Sequence, residues 1–260
     1  MRSLQEILAE LDQIAPLKTA EDWDNVGLLL GDPNDSVSNV MTCLTVTDCV
    51  LAEAIEAGVD LLITHHPIPF KPLQRITSDT TTGRLLLTAA RNRIAIYSPH
   101  TAWDNAEEGI NQQLASTLSL TRVQPLVRNA RSDKAEGCGR MGQFESPTSI
   151  AAIRQSLLAG VPNMQWRSTH QEELPIRSLG IICGSGGSFV ASAKKAGCDA
   201  LLTGEATYHQ CLEAESLGVA LLLMGHFASE AFAMKKLAAI IAASFPDLFV
   251  RASEIERSDF

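Results

Sequence analysis

The chain has 260 residues, 45% of them hydrophobic and 20% charged, an ordinary globular composition with enough apolar residues for a sizeable core. With 21 basic against 30 acidic residues the net charge is −9, which argues against the broad cationic surface that phosphate backbones require, so nucleic acid is not an expected partner. No apolar run reaches the roughly 18 residues of a membrane span, and acids come too early for a signal peptide, so a cytoplasmic protein with no membrane partner is expected.

In chain order, Ser3 and Glu6 form a capping-box pattern ahead of Leu4, Ile7, Leu8 and Leu11, which predicts an amphipathic helix. Residues 40–46 read as a strand, 50–57 as a helix stopped by Gly58, and 61–63 as a strand. A helix over 83–92, a strand over 94–97 and a helix over 105–118 follow. The polar, glycine-bearing stretch 122–139 reads as a connection between lobes. Beyond it the rhythm repeats: strand 179–182, helix to 196, strand 200–202, helix to 217, strand 219–224, helix to 243. The alternation predicts an α/β protein of parallel strands buried on both faces. Six cysteines without a C-x-x-C pair read as buried, reduced thiols.

An internal repeat organises the chain. Residues 54–64 and 193–203 match at six of eleven positions, each as a helix end, a glycine and a strand. His65-His66 follows the first copy and Gly204-Glu205 the second. One strand later, His100-Thr-Ala-Trp-Asp104 echoes His226-Phe-Ala-Ser-Glu230, each a histidine with a carboxylate four residues on. Two similar lobes with polar residues at strand C-termini would share one cleft, the edge where parallel sheets bind ligands.

Four of the six histidines follow predicted buried strands, and Asp104 and Glu230 follow two of them at fixed spacing. Imidazole and carboxylate donors without paired thiolates suit Zn, Mn, Fe, Co or Ni ions rather than a structural zinc knot. Five or six ligands exceed one four-coordinate ion and predict a dinuclear site with a bridging carboxylate. Each residue also has a plainer reading. Asp104 would be a helix N-cap completed by Glu107, Glu230 a first-turn acid, and His65 and His66 polar residues at a strand exit. Glu205 and His209, four apart, would share a helix face and orient ligands or touch substrate, or be simple surface residues. The loop Cys183-Gly-Ser-Gly-Gly187 would hold an anion, or only turn tightly from strand to helix. His170 reads as a solvated loop residue, and no Gly-x-Ser-x-Gly nucleophile elbow is present.

These residues fall in motifs that resemble the toroid-forming, dinuclear-metal family called GTP cyclohydrolase 1 type 2, or NIF-three-like. The motifs are Glu21-Asp-Trp23-Asp24-Asn25-Val-Gly27-Leu, Thr64-His65-His66-Pro67-Ile-Pro-Phe70 and His100-Thr-Ala-Trp-Asp104-Asn-Ala-Glu-Glu-Gly109-Ile-Asn111. Gly137-Cys-Gly-Arg140-Met-Gly142, Cys183-Gly-Ser-Gly-Gly187, Thr203-Gly-Glu205 and Gly225-His226-Phe-Ala-Ser-Glu230 complete them, in family order. The resemblance implies one unit over 1–260, with lobe 1 at about 1–121, lobe 2 at about 137–260, no inserted domain and a two-ion site in the cleft. By family pattern His66 and Asp104 hold one ion, His65 and His226 the other, and Glu230 bridges both. His100 would stand beside the ions as a proton-transfer or substrate residue. The resemblance also implies a ring-shaped homo-hexamer.

Two functions fit. The first is a metal-dependent hydrolase of a small molecule, a nucleotide or other heterocycle, with the family label pointing to opening of the GTP imidazole ring. The second is a non-catalytic protein that stores, senses or transfers the ion. The sequence leaves the metal and the substrate unspecified.

Overall fold

A computed structural model describes residues 1–128, 137–161 and 163–257. Residues 129–136 of the expected lobe connection, 122–139, lie outside the described residues. The chain forms two compact units, Met1–Trp103 with Ala233–Phe260, and Asp104–Phe232. These bounds differ from lobes at about 1–121 and 137–260. The strand Phe249–Ala252 pairs with Asn39–Cys43, which brings the chain's end into the first unit, and Thr121–Gln124 pairs with Arg140–Ser149 in the second.

The first unit is built on a five-stranded sheet in the order Phe249–Ala252, Asn39–Cys43, Leu61–Thr64, Ala95–Ser98, Gly27–Leu30. Four strands run parallel; Gly27–Leu30 is antiparallel to its neighbour. Leu61–Thr64 and Ala95–Ser98 are buried along their whole length, as strands covered on both faces must be. Helices Asp48–Glu56 and Thr81–Arg91 supply Val50, Leu51, Ala54, Leu85, Leu86 and Ala89 to the core against Met41, Leu62 and Ile96. The predicted capping box is present at Ser3 and Glu6, at the start of helix Leu4–Ile14.

The second unit carries a six-stranded sheet in the order Arg167–Ser168, Ala220–Leu223, Ala200–Thr203, Pro175–Ile182, Arg140–Ser149, Thr121–Gln124. Its central three strands are parallel and the outer pairings antiparallel. The expectation of purely parallel sheets is therefore corrected to mixed ones. Arg167–Ser168 is two residues long and Arg140–Ser149 is polar and only half-buried along its length, so no continuous apolar run announces them; Gly27–Leu30 carries the run Leu28-Leu-Leu30, which does not show that it pairs antiparallel.

The repeated residues do the same work in each unit. Gly58 and Gly197 take positive φ, +61° and +78°, where the chain turns from helix to strand. The Asp60 carboxylate accepts the backbone N–H groups of Ser38 and Asn39, and Asp199 those of Arg177 and Ser178, tying each strand start to its neighbour. The Thr64 hydroxyl donates to the Leu44 carbonyl, and the Thr203 hydroxyl to that of Gly184. Several boundaries shift: the strand expected at 40–46 ends at Cys43, and the helix expected at 105–118 is two, His100–Asn105 and Ile110–Thr117. Asp104 thus lies inside a helix rather than capping one. Cys43, Cys183 and Cys198 are buried, whereas Cys49 is exposed, a correction to the all-buried reading. No helix among the described residues is long and apolar enough to cross a membrane.

Candidate metal centre

In the first unit the site is set by strand ends. His65 and His66 follow Leu61–Thr64, and His100 follows Ala95–Ser98, the parallel strand beside it. Backbone bonds from His65 N to the Cys43 carbonyl and from His66 N to the Leu44 carbonyl, 2.9 and 2.8 Å, carry the sheet register past the strands. The Ser98 hydroxyl donates to the His65 carbonyl at 2.6 Å. One ring nitrogen from each of His65, His66 and His100 lies within 4.8 Å of the other two, close enough for a single ion to engage them. His65 is fully buried.

The rings are held from behind. His66 Nδ1 meets the Thr45 hydroxyl at 2.7 Å, which leaves Nε2 for a metal. Leu44 and Thr45 in turn donate their backbone N–H groups to the Glu256 carboxylate at 2.8–2.9 Å. Burial pushes the Glu256 carboxyl up, although these N–H groups oppose the shift. His100 Nδ1 donates to both Asp24 oxygens at 2.8 Å, and Thr101 donates to Asp24 through its backbone N–H at 3.1 Å and its hydroxyl. Burial favours the neutral Asp24 acid, but the His100 and Thr101 bonds outweigh it and hold the carboxyl below its ordinary range. An ionised Asp24 accepts only, so Nδ1 of His100 carries a proton, and in the neutral ring the lone pair then lies on Nε2. His100 also has φ of +31°, an uncommon backbone state for a residue with a side chain.

The second unit presents acids. His226 opens helix His226–Ser244, and Glu230 follows one turn later, 97% buried, with its Oε2 3.2 Å from His226 Nε2. The Glu205 carboxylate meets His226 Nδ1 at 2.9 Å. Glu230, against the opposing cost of burial, and then Glu205 push the His226 imidazole up to about 9. The loop after Pro175–Ile182 seats both predicted carboxylate ligands. The Cys183 thiol donates to Asp104 Oδ1 at 3.1 Å, and burial with the charges of Asp104 and Glu230 keeps it protonated. At Gly184, φ +61°, a Cβ would stand 2.3 Å from Glu230 Oε1 and 3.4 Å from His226 Nε2. Gly184 therefore serves close approach by a buried carboxylate. Asn111 accepts the Cys183 N–H and donates to the Asp104 carbonyl, linking the two segments.

The donor chemistry fits divalent transition metals: imidazoles on one unit, and a carboxylate–imidazole pair in a cradle that admits no Cβ on the other. Two expectations change. Glu205 precedes helix Tyr208–Leu217, so it shares no helix face with His209, which is exposed and lies tilted against the Tyr208 ring. His170 is partly buried and meets the Thr169 hydroxyl, rather than being a freely solvated loop residue. Asp24, Thr45 and Cys183 carry the orienting bonds and were not singled out by residue type. Asp24 and Cys183 stand inside matched motifs, whereas Thr45 has no spacing signal.

Fold and donor set together define a mixed α/β protein with a candidate histidine–carboxylate metal centre. The chain belongs to the Duf34/NIF3 (NGG1p interacting factor 3) family, whose sequence profile matches residues 2–259. It is 34% identical over 220 residues to a GTP cyclohydrolase 1 type 2 homolog of Clostridium acetobutylicum, covering 85% of this chain and 82% of that one. It is 31% identical over 261 residues to NIF3-like protein 1 of Drosophila melanogaster, covering 98% and 88%. The fold is that of Staphylococcus aureus protein SA1388, with a TM-score of 0.87 at 24% identity over 100% of this chain and 98% of that one.

Proposed function

We propose that the protein is a metal-dependent hydrolase of a small molecule, with two divalent ions bound per chain. His66 and Asp104 would hold one ion and His65 and His226 the other, with Glu230 bridging. When bound, such ions supply Lewis acidity, stabilising developing negative charge and lowering the pKa of water. The chain's own residues do the rest. Thr45, Glu205 and Cys183 orient His66, His226 and Asp104, and Nε2 of His100 takes and returns a proton while Asp24 fixes the ring. The relatives' label makes a nucleotide such as GTP the first substrate to try. The two units read as copies of one βαβ plan, supported by the paired roles of Asp60 with Asp199 and Thr64 with Thr203. A cytoplasmic homo-hexamer remains part of this reading.

The observation that carries hydrolysis over storage is the Asp24–His100 pair, 2.8 Å apart beside the other two imidazoles. Storage needs ligands but no oriented proton acceptor. The test is turnover of GTP by ring opening, and of simple phosphoesters, with metal content measured in parallel. His100→Ala is expected to keep both ions and slow turnover about 10²–10⁴-fold. Rapid metal exchange without turnover would favour storage or transfer, and loss of an ion in His100→Ala would make His100 a ligand.

A further inference from the structure

Trp23 and Phe70 stand at the histidine group, and no bond described so far uses them. Their ring centroids are 6.0 Å apart, and each lies 6.2 Å from the His100 ring. His100 in turn lies 5.1 and 5.9 Å from His65 and His66. Trp23 is 63% exposed and Phe70 49%, an unusual state for two large aromatic side chains in mutual contact.

Their backbones are pinned nonetheless. Asp24, next to Trp23, is bound by His100 and Thr101. Asn25 donates from its side chain to the Pro69 carbonyl at 2.6 Å, tying the Trp23 loop to the residue before Phe70. The fold thus holds two aromatic faces open to solvent and fixed beside the imidazoles. By contrast, a cavity of about 390 Å³ in this unit, among Leu29, Leu73, Ile76 and Leu87, is lined by apolar side chains that cannot orient a polar ligand.

We infer that Trp23 and Phe70 form a recognition subsite for a planar heteroaromatic ring, which stacks on one face and meets the other edge-on beside the metal centre. Planes inclined at 59° suit that mixed arrangement better than a parallel sandwich. Stacking is tolerant of ring identity, so the pair selects for a flat π-system, and the centre beside it acts on that ring or its substituents. The inference deepens the hydrolase reading and rests on the proposed metal centre.

The test uses the full-length protein reconstituted with manganese, with metal content measured on every sample. Guanosine and cytidine binding is followed by equilibrium dialysis, with ribose as competitor. Trp23→Ala and Phe70→Ala are each expected to weaken binding about tenfold or more with metal content unchanged, whereas Trp23→Phe stays within about threefold. Ribose should not compete. Equal binding by wild type and the alanine variants would overturn the subsite, as would no binding of either nucleoside by metal-loaded wild type. Dissociation of an oligomer in Trp23→Ala would also overturn it, by making this face a contact between copies. Wild type that takes up no metal would instead sink the metal centre, so the two failures are distinguishable.

Discussion

Gly184→Ala probes the cradle around Glu230 without replacing a proposed ligand. The backbone cost comes first: at φ +61° an alanine pays about 1–2 kcal/mol for the left-handed conformation. The steric cost comes second. The new Cβ would stand 2.3 Å from Glu230 Oε1, so the carboxylate must retreat by about 1 Å to reach ordinary contact near 3.4 Å. Glu230 is 3% exposed and 3.2 Å from His226, so retreat weakens a buried charged contact, worth a further 1–3 kcal/mol or so. Gly197→Ala is the control, since φ is +78° there but nothing lies within 4 Å of the added Cβ. Urea unfolding of the metal-stripped variants should show a loss of about 2–5 kcal/mol for Gly184→Ala against about 1–2 kcal/mol for Gly197→Ala. Metal content after reconstitution should fall only in the first. Equal losses of stability with full metal content in both would refute the cradle.

Glu230→Ala should drive metal stoichiometry towards zero and Asp104→Ala towards about one ion per chain, out of two expected for a bridged site; equal losses would argue against bridging. His226 should make metal uptake pH-dependent. With its metal-free value raised to about 9, a proton must leave before a metal binds there, so apparent affinity should climb about tenfold per pH unit up to about 9, and Glu205→Gln should shift that limb to lower pH. In the stripped protein the same raised value contributes stability that is full below the ordinary 6.5 and is lost as pH rises through about 9, which unfolding curves from pH 6 to 10 would reveal. Light scattering should report a closed homo-oligomer; a stable monomer at micromolar concentration would contradict it.

Much of this was legible in the sequence because short, fully buried parallel strands write themselves as apolar runs. Leu61–Thr64, Ala95–Ser98, Ala200–Thr203 and Ala220–Leu223 all fall within a residue or so of expectation. The histidines at their ends stood out for the same reason. Gly27–Leu30 and Phe249–Ala252 did not, since each is mostly half-buried and its partner lies far off in sequence. Pairing of Phe249–Ala252 with Asn39–Cys43 spans some 200 residues, a distance no local pattern encodes, and it moved the boundary between the units. The orienting bonds were hidden likewise. Asp24 meets His100 across 76 positions and Cys183 meets Asp104 across 79, while a lone threonine such as Thr45 carries no spacing that marks it as a support for His66. The identities within the 54–64 and 193–203 repeat pointed to paired roles, which Asp60 and Asp199 fulfil through backbone bonds rather than chemistry.

The central claim is the pair of ions held by five named residues. Anomalous diffraction from crystals of the metal-loaded protein tests it directly. Two peaks are expected, with His66 and Asp104 bonded to one, His65 and His226 to the other, and Glu230 to both, at about 2.0–2.6 Å. Any three of the five lying more than about 4 Å from an ion would contradict the assignment, because no metal–ligand bond reaches that far.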